Sequence, residues 1–157
     1  MALDANQESI GFLIGALLRR KRLAFRALLA PYEVTPRQYA VLSRLWQADC
    51  LALTDLANRL YADPSSLSRT LVLMEKSGLI ERRRDDEDRR VYRFILAQRG
   101  RALKRRLRPL VQAHEEEVVL GLSPEEIEAT GNAIRKMLEN LRDSSADGYS
   151  AFEDDDA

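Results

Sequence analysis

The side chains best suited to binding chemistry lie in one short stretch, where three serines stand at the start of a predicted helix from about Pro64 to Ser77. The serines are Ser65, Ser66 and Ser68, and Arg69 and Lys76 follow on the same helix. Small hydroxyl side chains let a helix start approach a DNA groove closely, and free N–H groups of the first turn favour a phosphate. Arg69 can bind a guanine through two hydrogen bonds. The pattern therefore predicts non-covalent recognition of nucleic acid by one face of a helix.

A second group of candidates follows in an arginine-rich segment with the pattern of a β-hairpin. The arginines on its two predicted arms are Arg82, Arg83, Arg84, Arg89 and Arg90. Arginines at a hairpin tip can enter a minor groove, where the potential is most negative. The acidic run Asp85–Asp88 lies between the arms. We predict that Asp88 orients Arg90 through a charge-assisted hydrogen bond and that the other acids hold the turn.

The distribution of charge agrees with a polyanionic partner, although the whole chain has no net charge. Residues 143–157 contain six acidic residues and no basic ones, so residues 1–142 carry a formal charge of +6. The stretch 59–108 holds 15 Arg and Lys against 7 Asp and Glu. A local basic field attracts nucleic acid more strongly than the overall balance suggests. Composition alone also fits an ordinary solvated surface.

Two helices joined by a tight turn are needed to present the serine-arginine face, and the sequence predicts them. Asp63 and Pro64 form a typical helix start, and Thr54 is predicted to cap a shorter helix nine residues earlier. This spacing is typical of a helix-turn-helix. Predicted strands at 79–84 and 90–96 add a hairpin and make a winged form. The residues predicted to turn inward are Leu67, Leu71 and Met74.

Longer helices flank this lobe on both sides. Apolar residues at helical spacing predict helices at 8–30, 98–120 and 124–142, and Pro109 should kink or break the second of these. Thr35 is predicted to cap a further helix up to about Ala48. The first and last helices have apolar stripes with little single-chain core to cover, which favours a dimer. The predicted fold is mainly α with a small β-hairpin wing: a winged helix-turn-helix lobe plus a helical dimerisation lobe.

These elements divide the chain into four parts. We predict an N-terminal dimerisation helix at 1–33, a DNA-binding lobe at 34–97, dimerisation helices at 98–142 and an acidic, disordered tail at 143–157. The sequence shows neither a signal peptide nor an apolar stretch long enough to span a bilayer. Its one cysteine, Cys50, is predicted to be a partly buried thiol, and a cytoplasmic location fits it. With no catalytic constellation, we predict no enzyme activity, metal or cofactor.

Several stretches together resemble MarR-type transcriptional regulators, over about residues 8–142. The wing stretch 88–100 has the pattern Asp-x-Arg, five residues, Leu, and a glycine four positions after that leucine, with Ala97 where the family usually has threonine. That departure is expected to weaken the cap of the following helix. The other stretches that resemble the family are 34–42, 53–57, 66–71 and 73–80.

The resemblance implies a homodimeric repressor on a pseudo-palindromic operator. It implies that Ser65, Ser66, Ser68 and Arg69 read the major groove. It also implies that Arg90 enters the minor groove with support from Asp88. Such regulators usually release DNA when a small, often aromatic and anionic, molecule binds between the lobes. The alternative is a winged-helix interaction module whose arginine-rich wing binds an acidic protein.

Four residues are candidates for an effector pocket: Lys21, Tyr39, Trp46 and His114. Lys21 falls on the apolar stripe of the first helix, where it either faces an anionic effector or extends along an interface edge into solvent. His114 lies on the stripe of the long helix, where a lone histidine is usually a packed residue. Core packing explains Tyr39 and Trp46 as well as a pocket does.

Overall fold

The structure is a computed structural model, and it describes residues 9–141. In chain order these residues form α1 (Ile10–Leu29), a 3-10 turn (Ala30–Tyr32), α2 (Pro36–Leu45), β1 (Leu51–Ala52), α3 (Leu53–Leu60), α4 (Pro64–Lys76), β2 (Ile80–Arg84), β3 (Tyr92–Leu96), α5 (Gln98–Val118) and α6 (Pro124–Asn140). The mainly α fold with a small hairpin wing is therefore confirmed. The predicted acidic tail lies outside the described residues.

The strands form one antiparallel sheet in the order β1-β3-β2. Strand β3 pairs with β1 at Leu51↔Phe94 and with β2 from Ile80↔Leu96 to Arg84↔Tyr92. The sheet therefore links the hairpin to the start of α3. A single apolar cluster joins helices and sheet, and its fully buried members include Leu42, Leu45, Leu56, Leu71, Met74, Leu79 and Leu107.

Caps set the start of the helices, and one predicted cap is wrong. The Oδ2 atom of Asp63 accepts the Ser66 N–H at 2.7 Å, and Thr35 and Gln38 form a complete capping box, both as predicted. Thr54, however, lies inside α3, which begins at Leu53. Ala52 pairs with β3, so the strand runs directly into the helix. Asp55 accepts the Ala52 N–H at 3.4 Å, but no side chain at position 52 accepts an N–H of the first turn.

Helix α5 continues from Gln98 to Val118 through Pro109, so of the predicted kink or break the break does not occur. Leu103, Leu107 and Val111 are buried on both sides of the proline, and this packing supports the helix where one N–H is missing. Ala97 precedes the helix without a side-chain cap bond, as predicted from the presence of alanine where the family usually has threonine.

Arg99, in the first turn of α5, connects three segments. Its guanidinium donates to the Ser77 carbonyl at 2.9 Å, to the Tyr32 carbonyl at 3.4 Å and to a carboxylate oxygen of Glu33 at 2.9 Å. Carbonyls at a helix end have no partner within the helix, and a cation satisfies them well. The end of α4 is therefore held to the turn that follows α1.

Large apolar side chains stay exposed on α1 and α6. On α1 they are Ile10, Phe12, Leu13, Ile14, Leu17, Leu18 and Leu23, and on α6 they are Ile127, Ile134 and Leu138. Several large exposed apolar side chains on one helix are typical of an interaction site. Among the described residues, no helix is both long and apolar enough to cross a membrane.

Candidate nucleic-acid interface

Helix α4 buries one side and exposes the other. Leu67, Leu71 and Met74 are each no more than 1% exposed, so the predicted inward stripe is confirmed. On the opposite side Ser65, Ser68, Arg69, Val72 and Lys76 are exposed. The Asp63 cap leaves the first turn pointing its remaining N–H groups outward along the helix axis. This end of α4 therefore offers hydroxyls, a guanidinium and a positive dipole end on one surface.

Ser66 differs from the other serines because it is half-buried and already bonded. Its hydroxyl accepts a short hydrogen bond from the Arg37 guanidinium, at the start of α2. Sequence reasoning missed Arg37, since a contact between helices 29 positions apart leaves no local pattern. Arg37 adds a positive charge beside the start of α4.

The wing stacks two arginines on an aromatic ring. Arg82 and Arg84 alternate along β2, and their guanidinium carbons lie 4.5 and 5.3 Å from the centre of the Tyr92 ring on β3. Such contacts orient a guanidinium while leaving its edges able to donate. Arg84 also donates to the Arg89 carbonyl at 3.0 Å, and Arg83, on the other face, pairs with Glu81 at 3.2 Å. Arg82 and Arg84 are thus held on one face of the hairpin.

At the tip, the Asp88 carboxylate contacts Arg90 through both its backbone and its side chain. The Arg90 N–H donates to Asp88 Oδ1 at 3.0 Å, and the Arg90 Nε lies 3.8 Å from the same oxygen. The Arg90 side chain is 95% exposed. Arg89 is exposed beside it. The tip therefore projects two arginines into solvent.

Asp85 organises this tip and was not singled out from the sequence. Its Oδ1 accepts the N–H groups of Glu87 at 2.8 Å and Asp88 at 3.0 Å, and its Oδ2 binds the Arg93 guanidinium. The Asp88 N–H, the Arg93 guanidinium and the Glu87 N–H together lower the pKa of Asp85 to about 2. The expectation that the tip acids hold the turn is met by Asp85, which is buried, while the other three are exposed.

The four candidate effector residues lie around Phe25 of α1. Its ring packs edge-on against Tyr39 at 5.2 Å and stacks on His114 at 5.7 Å, and Tyr39 packs edge-on against Trp46 at 5.6 Å. Trp46 also donates to the Gly100 carbonyl at 3.0 Å. The structure thus brings three of the candidates into one aromatic cluster at the junction of α1, α2 and α5.

Polar groups border this aromatic cluster. Lys21 pairs with Glu115 at 2.7 Å, next to His114. His114 is buried, and its Nε2 has no hydrogen-bond partner among the described residues. Burial raises the pKa of Tyr39, the Glu115 carboxylate raises it further, and Arg108 opposes them. The cluster therefore holds a buried, unpaired nitrogen and nearby charges of both signs.

Two other sequence expectations concern thiol and metal chemistry. Cys50 is exposed, with a left-handed φ of 68°, so the expected partial burial is wrong. The cause is the tight turn between α2 and β1, in which Asp49 accepts the Cys50 N–H at 3.0 Å. Within residues 9–141, no group of three or more His, Cys, Asp and Glu is placed to hold a metal ion.

A capped, outward-facing helix after a tight turn, followed by an arginine-tipped hairpin, defines a winged helix-turn-helix DNA-binding protein. The family model described as "MarR family" matches residues 34–92. The organic hydroperoxide resistance transcriptional regulator of Bacillus subtilis is 30% identical over 138 residues, which is 86% of this chain and 90% of that protein. The chain belongs to the MarR family and is a DNA-binding transcriptional regulator.

Other relatives agree with this placement. The HTH-type transcriptional regulator TtmR of Methylorubrum extorquens is 40% identical over 81 residues, so the match spans 52% of this chain but only 42% of that protein. The crystal structure of a mutant MarR of E. coli in complex with operator DNA is similar at a TM-score of 0.75 and 26% identity, covering 82% of this chain and 93% of that one. The regulator AbsC of Streptomyces coelicolor shares the fold, with a TM-score of 0.81, 23% identity and coverage of 91% and 99%.

Proposed function

We propose that this protein is a homodimeric repressor that binds a pseudo-palindromic operator and leaves it when a small aromatic anion binds. The observation that carries the proposal is the exposed serine-arginine face of α4 beside a hairpin tip that projects Arg90. The operator complex of the similar E. coli protein supports a DNA partner. We place this function in the cytoplasm, with no enzymatic activity.

Each candidate residue has a proposed role on DNA. Ser65, Ser68 and Arg69 read base edges in the major groove, and Ser66 positions Arg37 beside a phosphate. Arg90 enters the minor groove with Asp88 behind it. The remaining candidates contact the phosphate backbone: Lys76, Arg82, Arg84 and Arg89.

The proposed occupant of the apolar faces of α1 and α6 is a second copy of the chain. Operators of helix-turn-helix dimers repeat at about one DNA turn, roughly 34 Å, because the two recognition helices lie on one side of the duplex. A two-fold pair built on α1 and α6 uses none of the residues on the exposed face of α4 or at the hairpin tip. The exposed leucines and isoleucines supply the burial that such an interface needs.

The proposed effector site is the aromatic cluster of Phe25, Tyr39, Trp46 and His114, with Lys21 at its border. Aromatic rings suit an aromatic ligand, and the unpaired His114 Nε2 can bond a carboxylate. The Lys21 ammonium is paired with Glu115, and a ligand carboxylate would replace Glu115 as its partner. A protein of similar structure, BpsR of Bordetella bronchiseptica, has its DNA binding regulated by 6-hydroxynicotinic acid; the match has 25% identity, a TM-score of 0.73 and coverage of 83% of this chain and 98% of that one.

Addition of 6-hydroxynicotinic acid or benzoate to the protein–DNA complex tests this site. We expect release of DNA by at least one of them, and weaker release from His114→Ala. Release that is equal in both proteins would contradict the assignment of His114. Failure of both acids to release DNA would contradict an aromatic carboxylate as effector.

Selection of bound sequences from random duplex DNA tests the DNA partner and the operator together. We expect recovered sites with two related half-sites whose centres are about 10 base pairs apart. Binding should fall steeply with salt while the preference for this sequence persists. Absence of any recovered sequence preference would contradict the proposal and favour a wing that binds an acidic protein.

Substitutions on α4 and the wing then assign the contacts. Arg69→Ala should cost about 1–3 kcal/mol of binding free energy and relax the choice of base at one position of each half-site. Arg90→Ala should weaken binding with less loss of major-groove specificity. Gel shifts in which both variants match the parent protein would overturn these roles.

A further inference from the structure

The hairpin contains a chain of contacts that runs from the sheet to the exposed tip. It begins at the carbonyl of Cys50, which accepts from Arg93 Nη1 at 3.4 Å. It continues from Arg93 to Asp85, and from Asp85 to the N–H of Asp88 at 3.0 Å. The Asp88 carboxylate in turn accepts a hydrogen bond from the backbone N–H of Arg90. A continuous series of hydrogen bonds therefore connects the residue before β1 with the backbone N–H of Arg90, whose side chain lies 3.8 Å from the same Asp88 carboxylate.

The inner end of this chain is fixed. Asp49, next to Cys50, accepts the Leu96 N–H at 2.9 Å and lies 3.5 Å from the Arg101 guanidinium, so the turn before β1 is bonded to β3 and α5. Arg93 itself lies in β3, opposite Ala52 on one side and Arg83 on the other. The Arg93 guanidinium therefore extends from the middle of the sheet.

The outer end has fewer supports, and besides the Asp85 contacts only Arg84, which donates to the Arg89 carbonyl at 3.0 Å, ties it to a strand by a side chain. Arg89 and Arg90 are exposed, and the tip between β2 and β3 is closed by two backbone bonds, Asp85 N to the Val91 carbonyl at 3.0 Å and Val91 N to the Asp88 carbonyl at 2.9 Å. The Asp85 carboxylate adds two bonds to N–H groups of the same turn and is itself only 9% exposed. Charge-assisted bonds of this kind are about twice as strong as neutral ones.

We propose that Asp85 and Arg93 are positioning residues for DNA binding: they hold the wing turn in the one conformation in which Asp88 presents Arg90 to the minor groove. This inference rests on the proposed contact of Arg90 with DNA. Asp85 contacts no DNA in this scheme. Its effect on affinity passes entirely through the order it imposes on Asp88 and Arg90.

The direction in which DNA affinity changes in one variant distinguishes this positioning role from simple charge repulsion. Removal of a carboxylate close to DNA ordinarily strengthens binding, because one repulsion of the phosphates is lost. Asp86 is the matched control, since it is an exposed carboxylate in the same turn. Positioning predicts opposite results, with Asp85→Ala binding DNA about tenfold more weakly and Asp86→Ala binding it equally or more tightly.

The experiment measures binding of a fluorescein-labelled operator duplex, recovered by selection, to the full-length protein by anisotropy at fixed salt. The variants are Asp85→Ala, Asp86→Ala, Arg90→Ala and the double variant of Asp85 and Arg90. We expect the double variant to bind no more weakly than Arg90→Ala alone, because both changes remove the same contact. Base preference at the Arg69 position should be unchanged in Asp85→Ala, which a general loss of folding would not leave intact.

Three results would overturn the inference: Asp85→Ala binding as tightly as Asp86→Ala, losses that add in the double variant, or loss of base preference at the Arg69 position. If Asp85→Ala does not fold, Asp85→Asn and Arg93→Gln replace it, with the same expected non-additivity with Arg90→Ala. The proposed function fails separately, when the parent protein shows no sequence preference. A parent that binds its site and weakens with Arg90→Ala but not with Asp85→Ala contradicts only the positioning role.

Discussion

Asp85 is a nearly buried carboxylate in the wing that accepts hydrogen bonds from three donors. All three hydrogen bonds stabilise the ionised carboxylate more than the protonated acid. The pKa of Asp85 is therefore lowered from the usual 3.8 to about 2. The folded state therefore gains stability from ionised Asp85 at every pH above the ordinary value. This contribution falls away as the pH drops through the folded pKa, between about 4 and 2.

This shift predicts that Asp85 stays ionised in the folded protein at pH 3. Its side-chain carboxyl 13C chemical shift is the measurement. In Arg93→Gln the pKa should move up towards the ordinary value but remain below it, because the two backbone donors persist. A carboxyl that is half protonated near pH 4 in the parent protein would contradict the hydrogen bonding described for the wing.

For single residues, the sequence predicted the orientation or pairing of side chains where these depend on local spacing. The inward stripe of α4 and the pairing of Asp88 with Arg90 follow from spacings of two to four residues. Asp85 with Arg93 and Arg37 with Ser66 depend on strand register and on helix packing. Neither of those leaves a trace in a single sequence, so both pairs were missed.

Helix α5 is the element that joins the DNA-binding lobe to the outer helices, and Gly100 sets how closely it can lie. A Cβ atom added at Gly100 would lie 2.2 Å from the Leu79 carbonyl oxygen and 3.3 Å from a methyl carbon of Leu42. The first of these neighbours is backbone and cannot rotate away. The glycine of the family's wing pattern therefore has a packing reason at this position, which periodicity alone does not reveal.

We expect Gly100→Ala to lower the free energy of unfolding by about 1–3 kcal/mol, because the helix must move away from the end of α4. This loss outweighs the gain of about 1 kcal/mol that alanine ordinarily brings to a helix interior. Urea unfolding at fixed protein concentration measures it. Gly131→Ala is the control, since an added Cβ there meets only the guanidinium of Arg135, at 3.6–3.9 Å. Because Gly131 lies on the apolar side of α6, sedimentation first checks that this variant dimerises as the parent protein does. Equal stability of both variants would contradict the close approach.

At the scale of elements, the order of helices and strands was predictable, but some ends were not. Capping residues located the starts of α2 and α4, since their hydrogen bonds are local. The start of α3 was misplaced because Ala52 belongs to a strand whose partner lies some 40 residues further along the chain. Tertiary pairing there decides where the helix begins.

The whole molecule has apolar surface on α1 and α6 that its own core does not cover. Ile127, Ile134 and Leu138 repeat at helical spacing on α6, and each is about 40% exposed. A second copy that covers them would turn two separate lobes into one two-fold unit.

We expect Ile134→Glu to weaken the dimer at least about 100-fold, because it removes apolar burial and places a charge in the interface. Sedimentation analysis measures the dimer, and the variant should also lose affinity for a site with two half-sites. Ala129→Glu is the control, since residue 129 lies on the opposite side of the same helix. An unchanged dimer in Ile134→Glu would contradict the proposed interface.

The exposed turn before β1 has one further consequence. Cys50 is the only cysteine of the chain, it is open to solvent, and its carbonyl is the inner anchor of the contacts that lead to Arg90. A maleimide dye would therefore couple to the native protein at a single known point. We expect its fluorescence to change when a duplex binds at the hairpin, and a titration with the selected operator measures this change.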